Sequence, residues 1–405
     1  MNEKTIKQIQ VALGIVFTVF IFIPFLVVYV LSKATLDFDI LINLLIAIIL
    51  LVLHLLFLFQ TIIHERKEYY MTYGLLIGII ASVMAGIGQI DFIPLLSSNE
   101  NFTLVLSLLL WSITYLLIYF FFESLYSSGV NTKRFFVVNF FFLLSLFGHL
   151  AVLVVPAESN VFWVWADLGY SGLGITIFVF GVWVLYVSYK QVGGEQTQII
   201  QIVGLSLILM GFILSLFIDF NFVFINLLGV NPTDFIETFY GDLFKVLGII
   251  LFTSSYIREI DYIYRLPFPI YTIIFFKSDS GLSLNITNVV NLSKEKPMKL
   301  DENLITGTIT AVRTLLQEGV GSTGHLKTIQ STDQTIVIES NVHASIAVIT
   351  SKTTKVLTNS IKKALQDFTI KYKEKLGDSH AIEIADFQQT KTVLKKAFPY
   401  LNLQN

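Results

Sequence analysis

The stretch REIDYIYRLPFPIYTIIFFKS, residues 258–278, divides the chain into two parts of different composition. Before it, residues 1–257 carry 9 Lys and Arg against 15 Asp and Glu, whereas residues 258–405 carry 18 and 14. Its two prolines stop a helix, and the β-branched and aromatic residues that follow favour a strand. We therefore expect a transmembrane bundle over 1–257, a juxtamembrane linker over 258–268 and a cytoplasmic domain over 269–405.

The overall composition is that of a membrane protein. Hydrophobic residues make up 54% of the chain and charged residues only 14%, whereas a soluble domain carries about 25% charged residues. The absence of Cys excludes disulfides, thiolate metal sites and Cys nucleophiles. No motif points to a cofactor, a metal site or a nucleic-acid partner, so we predict none of these.

Long apolar segments predict several membrane spans. A helix needs about 20 apolar residues to cross the hydrocarbon core. Lys and Arg gather in cytoplasmic loops, and with a cytoplasmic N-terminus only Lys33 of the ten basic loop residues lies outside. The sequence thus predicts a multi-pass protein of the cell membrane with its N-terminus and C-terminal domain in the cytoplasm. We expect eight spans: 10–31, 40–62, 70–90, 103–123, 135–155, 161–187, 199–219 and 239–257.

Three ionisable residues inside these spans form the main candidate site. By the helical rise of 1.5 Å per residue, His149, Asp167 and Lys245 all lie about 9 Å below the outer face. Ionisable groups in a membrane are costly and often mark function. One interpretation is an outward-facing polar pocket that binds a small molecule or senses protons through His149. The other is a structural Asp–Lys pair that orients its helices.

A short motif raises the question of catalysis. Gly169-Tyr170-Ser171-Gly172 weakly resembles the nucleophile motif of rhomboid intramembrane proteases. A serine nucleophile needs a base within hydrogen-bond reach, and in rhomboids this histidine follows on a later helix. Here the next histidine is His325, in the C-terminal part. We therefore predict that the protein is not an enzyme and that Ser171 packs between helices.

The C-terminal part predicts an α+β domain. IYTIIFFKS and LSLNIT, joined by a DSG turn, form a hairpin pattern. Residues 300–319 have the apolar spacing of a helix, three short strand patterns follow within 325–351, and two helical segments end the chain. The predicted order is β-β-α-β-β-β-α-α, with a five-stranded antiparallel sheet covered by helices.

Three segments carry a resemblance to a known module: IIFFKSDSGLSLNI, DENLITGTITAVRTLLQE and IVIESNVHASIAVIT. Their order resembles the longin fold, the profilin-like module of vesicle-trafficking proteins and small-GTPase regulators. A longin-like domain behind a multi-span membrane part resembles an archaeal arrangement. The resemblance implies a small GTPase or a trafficking protein as partner. PAS and GAF sensor domains share a five-stranded core and are the alternative.

Two further patterns in this part concern nucleotide binding and lipid binding. GVGSTG, residues 319–324, fits G-x-G-x-x-G but follows a helix and precedes a strand, the reverse of a dinucleotide fingerprint. Lysines crowd one helix face, which beneath a bilayer attracts anionic lipid headgroups at about 1 kcal/mol per cation. A solvated face with interleaved acidic residues is the alternative. The lipid-surface candidates are Lys362, Lys363, Lys371, Lys373 and Lys375.

Together these patterns favour a non-enzymatic membrane anchor or sensor whose longin-like domain docks a cytoplasmic partner. The first alternative is a transporter of ions or small molecules, in which His149, Asp167 and Lys245 couple ion and substrate movement. The second is an intramembrane serine protease with Ser171 as nucleophile.

Overall fold

The computed structural model describes most of the chain after residue 37, and the predicted first span, 10–31, lies outside the described residues. Helices and strands are stated below only for this part. The described residues are 38–63, 69–88, 100–154, 160–192, 196–219, 238–259, 265–289, 302–315, 318, 326–332, 334–377, 387, 389–399 and 401.

The described helices of the N-terminal part are α1 (Phe38–Ile63), α2 (Tyr70–Gly88), α3 (Glu100–Tyr126), α4 (Thr132–Val154), α5 (Asn160–Val192), α6 (Gln196–Asp219) and α7 (Thr238–Arg258). Five of them, α1 and α3 to α6, are long and apolar enough to cross a membrane, with mean hydropathies of 1.8 to 3.0. Helix α2 is apolar but shorter, and α7 carries Asp242, Lys245 and Arg258 within its 21 residues. Of the eight predicted spans, five thus correspond to helices of spanning length and composition.

Helix packing in the bundle depends on small residues. Helix α3 contacts α2, α4 and α5, while α7 packs against α6 and α1. A Cβ atom added at Gly204 of α6 would lie 2.9 Å from the Gly248 carbonyl oxygen of α7. On α4, a Cβ at Gly148 would lie 2.6 Å from the Ala166 Cα of α5. Because lipid and side chains are equally apolar, such close backbone contacts hold membrane helices together.

The C-terminal part contains the predicted five-stranded antiparallel sheet. Its strands are β1 (Ile270–Lys277), β2 (Ser283–Asn288), β3 (Thr328–Gln330), β4 (Thr335–Ser340) and β5 (Ala344–Thr350), and they lie in the order β2-β1-β5-β4-β3. The described helices of this part are α8 (Glu302–Thr314), α9 (Lys355–Lys371), α10 (Lys373–Gly377) and α11 (Thr390–Ala397). The turn between β1 and β2 needs a glycine, because Gly281 has a φ of +71° and a Cβ atom there would clash with the Thr310 hydroxyl of α8.

Helices cover the two faces of this sheet unequally. Helix α9 packs on β4 and β5 and is joined there by α11. On this face the Phe275 and Phe368 rings stack at 4.2 Å between centroids. The other face buries a smaller core around Ile274, Ile309 and Ala347, covered by α8. Among the described helices, α8 therefore lies on one face of the sheet, and α9 and α11 lie on the other.

Candidate functional site

The predicted site residue His149 is fully buried on α4. Its Nδ1 lies 2.7 Å from the carbonyl oxygen of Ser145, one turn earlier. The Ser145 hydroxyl lies 2.8 Å from the Ser112 hydroxyl of α3, and the imidazole meets the Trp163 ring of α5 edge-on. Within the described residues, Nε2 has no hydrogen-bond partner. His149 therefore lies where α3, α4 and α5 meet.

The second candidate, Lys245, has its described contacts within α7 and with α6. Its Nζ lies 3.0 Å from the Asp242 carboxylate, three residues earlier on α7. The same ammonium lies 5.1 Å from the centre of the Phe212 ring of α6, a distance at which a cation is attracted to an aromatic face. Lys245 is thus paired within its own helix and against α6.

The third candidate, Asp167, is partly buried on α5, one helical turn after Trp163. Its neighbours Ala166 and Gly169 pack against α4, since Cβ atoms at Gly148 and Gly169 would clash with the partner backbone. Asp167 therefore lies on α5, the helix whose Trp163 ring contacts the His149 imidazole. The contacts described for His149 and Lys245 involve different helices and different side chains.

A cluster of aromatic residues lies beside Lys245. The hydroxyls of Tyr115 and Tyr170 are 3.0 Å apart, and both rings contact Phe212, at 5.4 and 6.0 Å between centroids. Tyr170 of the Gly169–Gly172 motif thus belongs to a contact of α3, α5, α6 and α7. Its neighbour Ser171 is buried, with 1% of its surface exposed.

An ion pair between Glu123 and Arg134, which the sequence patterns did not indicate, links α3 and α4. Arg134 donates two hydrogen bonds to Glu123, from Nη2 to Oε1 at 2.7 Å and from Nε to Oε2 at 3.1 Å. Ser127 and the backbone N–H of Asn131 donate to the same carboxylate, each at 3.0 Å. The Asn131 side chain in turn accepts from the first turn of α4. The sequence does contain a signal for this ion pair, because the acidic Glu123 near the end of an apolar span is followed by a turn and by Arg134.

This ion pair holds the turn that contacts the sheet domain. The backbone N–H of Lys355, at the start of α9, donates to the Ser127 carbonyl oxygen at 3.2 Å. The Lys352 ammonium lies 3.3 Å from the centre of the Tyr126 ring, at the end of α3. Lys355 Nζ donates to the Tyr70 hydroxyl of α2 at 3.1 Å. We call these five residues, together with the adjacent Glu123–Arg134 ion pair, the junction.

The predicted lipid-surface lysines differ in their contacts with the rest of the domain. Lys362 lies 4.0 Å from Glu339, and Lys371 donates to the Gln389 carbonyl oxygen and the Thr392 hydroxyl at 3.1 and 2.8 Å. These contacts tie α9 to β4 and to the start of α11. The other three candidates are exposed or partly exposed: Lys363, Lys373 and Lys375.

Helix α8 carries an exposed face whose described residues, Leu304, Thr308, Ala311 and Leu315, are uncharged. Leu304 is 68% exposed and Leu315, directly after the helix, is 66% exposed. Between them Gly307, Thr308 and Ala311 are also exposed, and a Cβ at Gly307 would meet no atom within 4 Å. The spacing of 304, 308, 311 and 315 alternates four and three residues, as on a helix that packs along another helix.

The chemistry of the described residues does not single out a metal centre. No three His, Asp or Glu side chains within the described ranges come together closely enough to hold an ion. No protein-family model matches the chain, and no curated protein or solved structure matches it either.

Proposed function

We propose that this chain is a non-enzymatic, multi-pass membrane anchor or sensor whose C-terminal domain docks a cytoplasmic partner. The main observation that supports this proposal is the exposed, uncharged face of α8. An exposed apolar surface on a folded domain often marks an interaction site. Leu304 and Leu315 each expose about two thirds of their surface, while the other side of the same helix packs on the sheet.

The junction supports a fixed link between membrane and partner. A sheet domain joined to the bundle only through a linker would be held loosely. Here α9 begins against the end of α3, through the Lys355–Ser127 backbone hydrogen bond and the Lys352–Tyr126 contact. A change in the tilt of α3 would therefore move α9. Because α9 and α8 cover opposite faces of one sheet, such a movement would also move the docking face.

The proposed orientation follows the charge bias of the loops. The helix ends at the junction include Tyr70, Tyr126 and Arg134, next to the basic loop residues that favour the cytoplasm. The proposed location is the cell membrane, with both termini inside. The proposed partner is a small GTPase or a trafficking protein, as the longin resemblance implies, and the five-stranded antiparallel sheet with its helices supports this proposal.

Site-specific crosslinking tests the docking face. Because the natural chain has no Cys, Leu304→Cys in the full-length protein takes a single photoactivatable maleimide label. In membranes of the source cell, we expect this position to crosslink one protein, identified by mass spectrometry as a small GTPase or a trafficking factor. Lys373→Cys, exposed on α10, is the matched control. The proposal fails if Leu304 and Lys373 give the same products, or if Leu304 gives none.

A further inference from the structure

We propose that the junction binds the phosphate of an anionic lipid headgroup through Lys352, Lys355 and Arg134. The inference rests on the membrane insertion and orientation proposed above, but it names a ligand and a site that docking does not require. These residues are also distinct from the lysines of α9 and α10 that the sequence suggested.

Aromatic rings hold the three cations at the end of the bundle. Lys352 Nζ lies 3.3 Å and Arg134 Cζ 5.3 Å from the centre of the same ring, that of Tyr126. Lys355 Nζ lies 5.3 Å from the centre of the Tyr70 ring. An ammonium on a ring face keeps other N–H donors free. Lys352 and Arg134 lie against one ring and Lys355 follows Lys352 by three residues, so we infer that their remaining N–H groups donate to the oxygens of one phosphate.

The charge balance of the junction favours an anion. Glu123 is already occupied, since it accepts hydrogen bonds from Arg134, Ser127 and Asn131. Within the described residues, neither Lys352 nor Lys355 has a carboxylate partner. The described residues of the junction thus include three cations and one carboxylate, and that carboxylate is paired with Arg134.

The position of the junction favours a lipid over free phosphate. Tyr126 ends an apolar segment that is long enough to cross the membrane, so the cations lie at headgroup depth if that segment is inserted. Tyr73, one turn into α2 from Tyr70, is 56% exposed. An exposed tyrosine there lies beside acyl chains, while the lysines meet the headgroup.

Lipid retention by the full-length protein tests this inference. In nanodiscs that contain phosphatidylglycerol and phosphatidylcholine, the wild type should enrich phosphatidylglycerol, measured by native mass spectrometry. The double variant Lys352→Gln/Lys355→Gln should bind it about 30-fold more weakly, because each cation near an anionic surface contributes about fivefold. The control Lys327→Gln/Lys395→Gln removes the same charge from two exposed positions, before β3 and on α11, and should retain wild-type binding.

Three outcomes would overturn the inference. The first is equal retention by the junction variant and the wild type, and the second is an equal loss in the control variant. The third is displacement of the lipid by inorganic phosphate at equal concentration, which would identify a free-phosphate site. A protein that does not insert into nanodiscs would instead contradict the proposed membrane function.

Discussion

Replacement of Gly169 by alanine is expected to destabilise the bundle by about 3 kcal/mol, at the upper end of the range for overpacked sites. A Cβ atom there would lie 2.6 Å from the Ser145 Cα. Because the obstacle is backbone, α4 and α5 must move apart and lose contacts along their length. The measurement is the free energy of unfolding of the purified protein in detergent, by titration with a denaturing detergent.

Gly129→Ala is the matched control, because it adds the same methyl group where a Cβ would meet no atom within 4 Å. This control should change the free energy of unfolding by less than about 0.5 kcal/mol. Equal stability of the Gly169 variant and the control would show that α4 and α5 are not packed as described.

Loss of the buried carboxylate in Glu123→Leu is expected to destabilise the protein by about 3 kcal/mol. The Glu123 side chain is only 3% exposed, and its removal leaves the Arg134 guanidinium partly buried without a counterion. Breaking one partner of a buried ion pair costs about 3 to 5 kcal/mol, and the 29% exposure of Arg134 favours the lower end. Hydrogen exchange should also show faster opening of the amides in 127–134.

The double variant Glu123→Leu/Arg134→Leu separates charge from packing. Replacing both partners by apolar residues is often close to neutral, so we expect most of the lost stability to return. If the double variant is less stable than Glu123→Leu, the destabilisation comes from lost packing or hydrogen bonds rather than from an unpaired charge.

The sequence predicted the elements of the C-terminal domain well because their signals are local. The β-branched and aromatic residues of 270–277 are followed by turn residues such as Asp279 and Gly281. The segment 270–277 forms a strand that pairs with strands on both sides. The apolar runs likewise indicated helices of spanning length. The reason is that hydrophobic length and turn chemistry are both properties of a single segment.

Contacts between helices were not predictable in the same way. The helical rise gave His149 and Lys245 a common depth but said nothing about direction around the bundle. In the structure His149 contacts Ser145 and Trp163, whereas Lys245 contacts Asp242 and Phe212. In an apolar helix, residues that face lipid and residues that face another helix look alike, so composition could not tell these directions apart.

The junction could not be predicted for a related reason. Its two sides lie more than 220 residues apart in sequence, at Ser127 and Lys355. Each side alone looks ordinary: a turn after a span, and a lysine at the start of a helix. Only the folded chain brings a backbone carbonyl of one to a backbone N–H of the other.

Disulfide crosslinking across the junction tests the central claim, that the sheet domain is docked on the membrane bundle. The Lys355 nitrogen and the Ser127 carbonyl oxygen are 3.2 Å apart, which places the two Cα atoms within reach of a disulfide. In a chain without other cysteines, Ser127→Cys/Lys355→Cys should form an intramolecular disulfide in membranes under mild oxidation. The control Ser127→Cys/Lys373→Cys should not. A docked domain predicts efficient crosslinking of the first pair alone, and equal or absent crosslinking of both pairs would contradict the account.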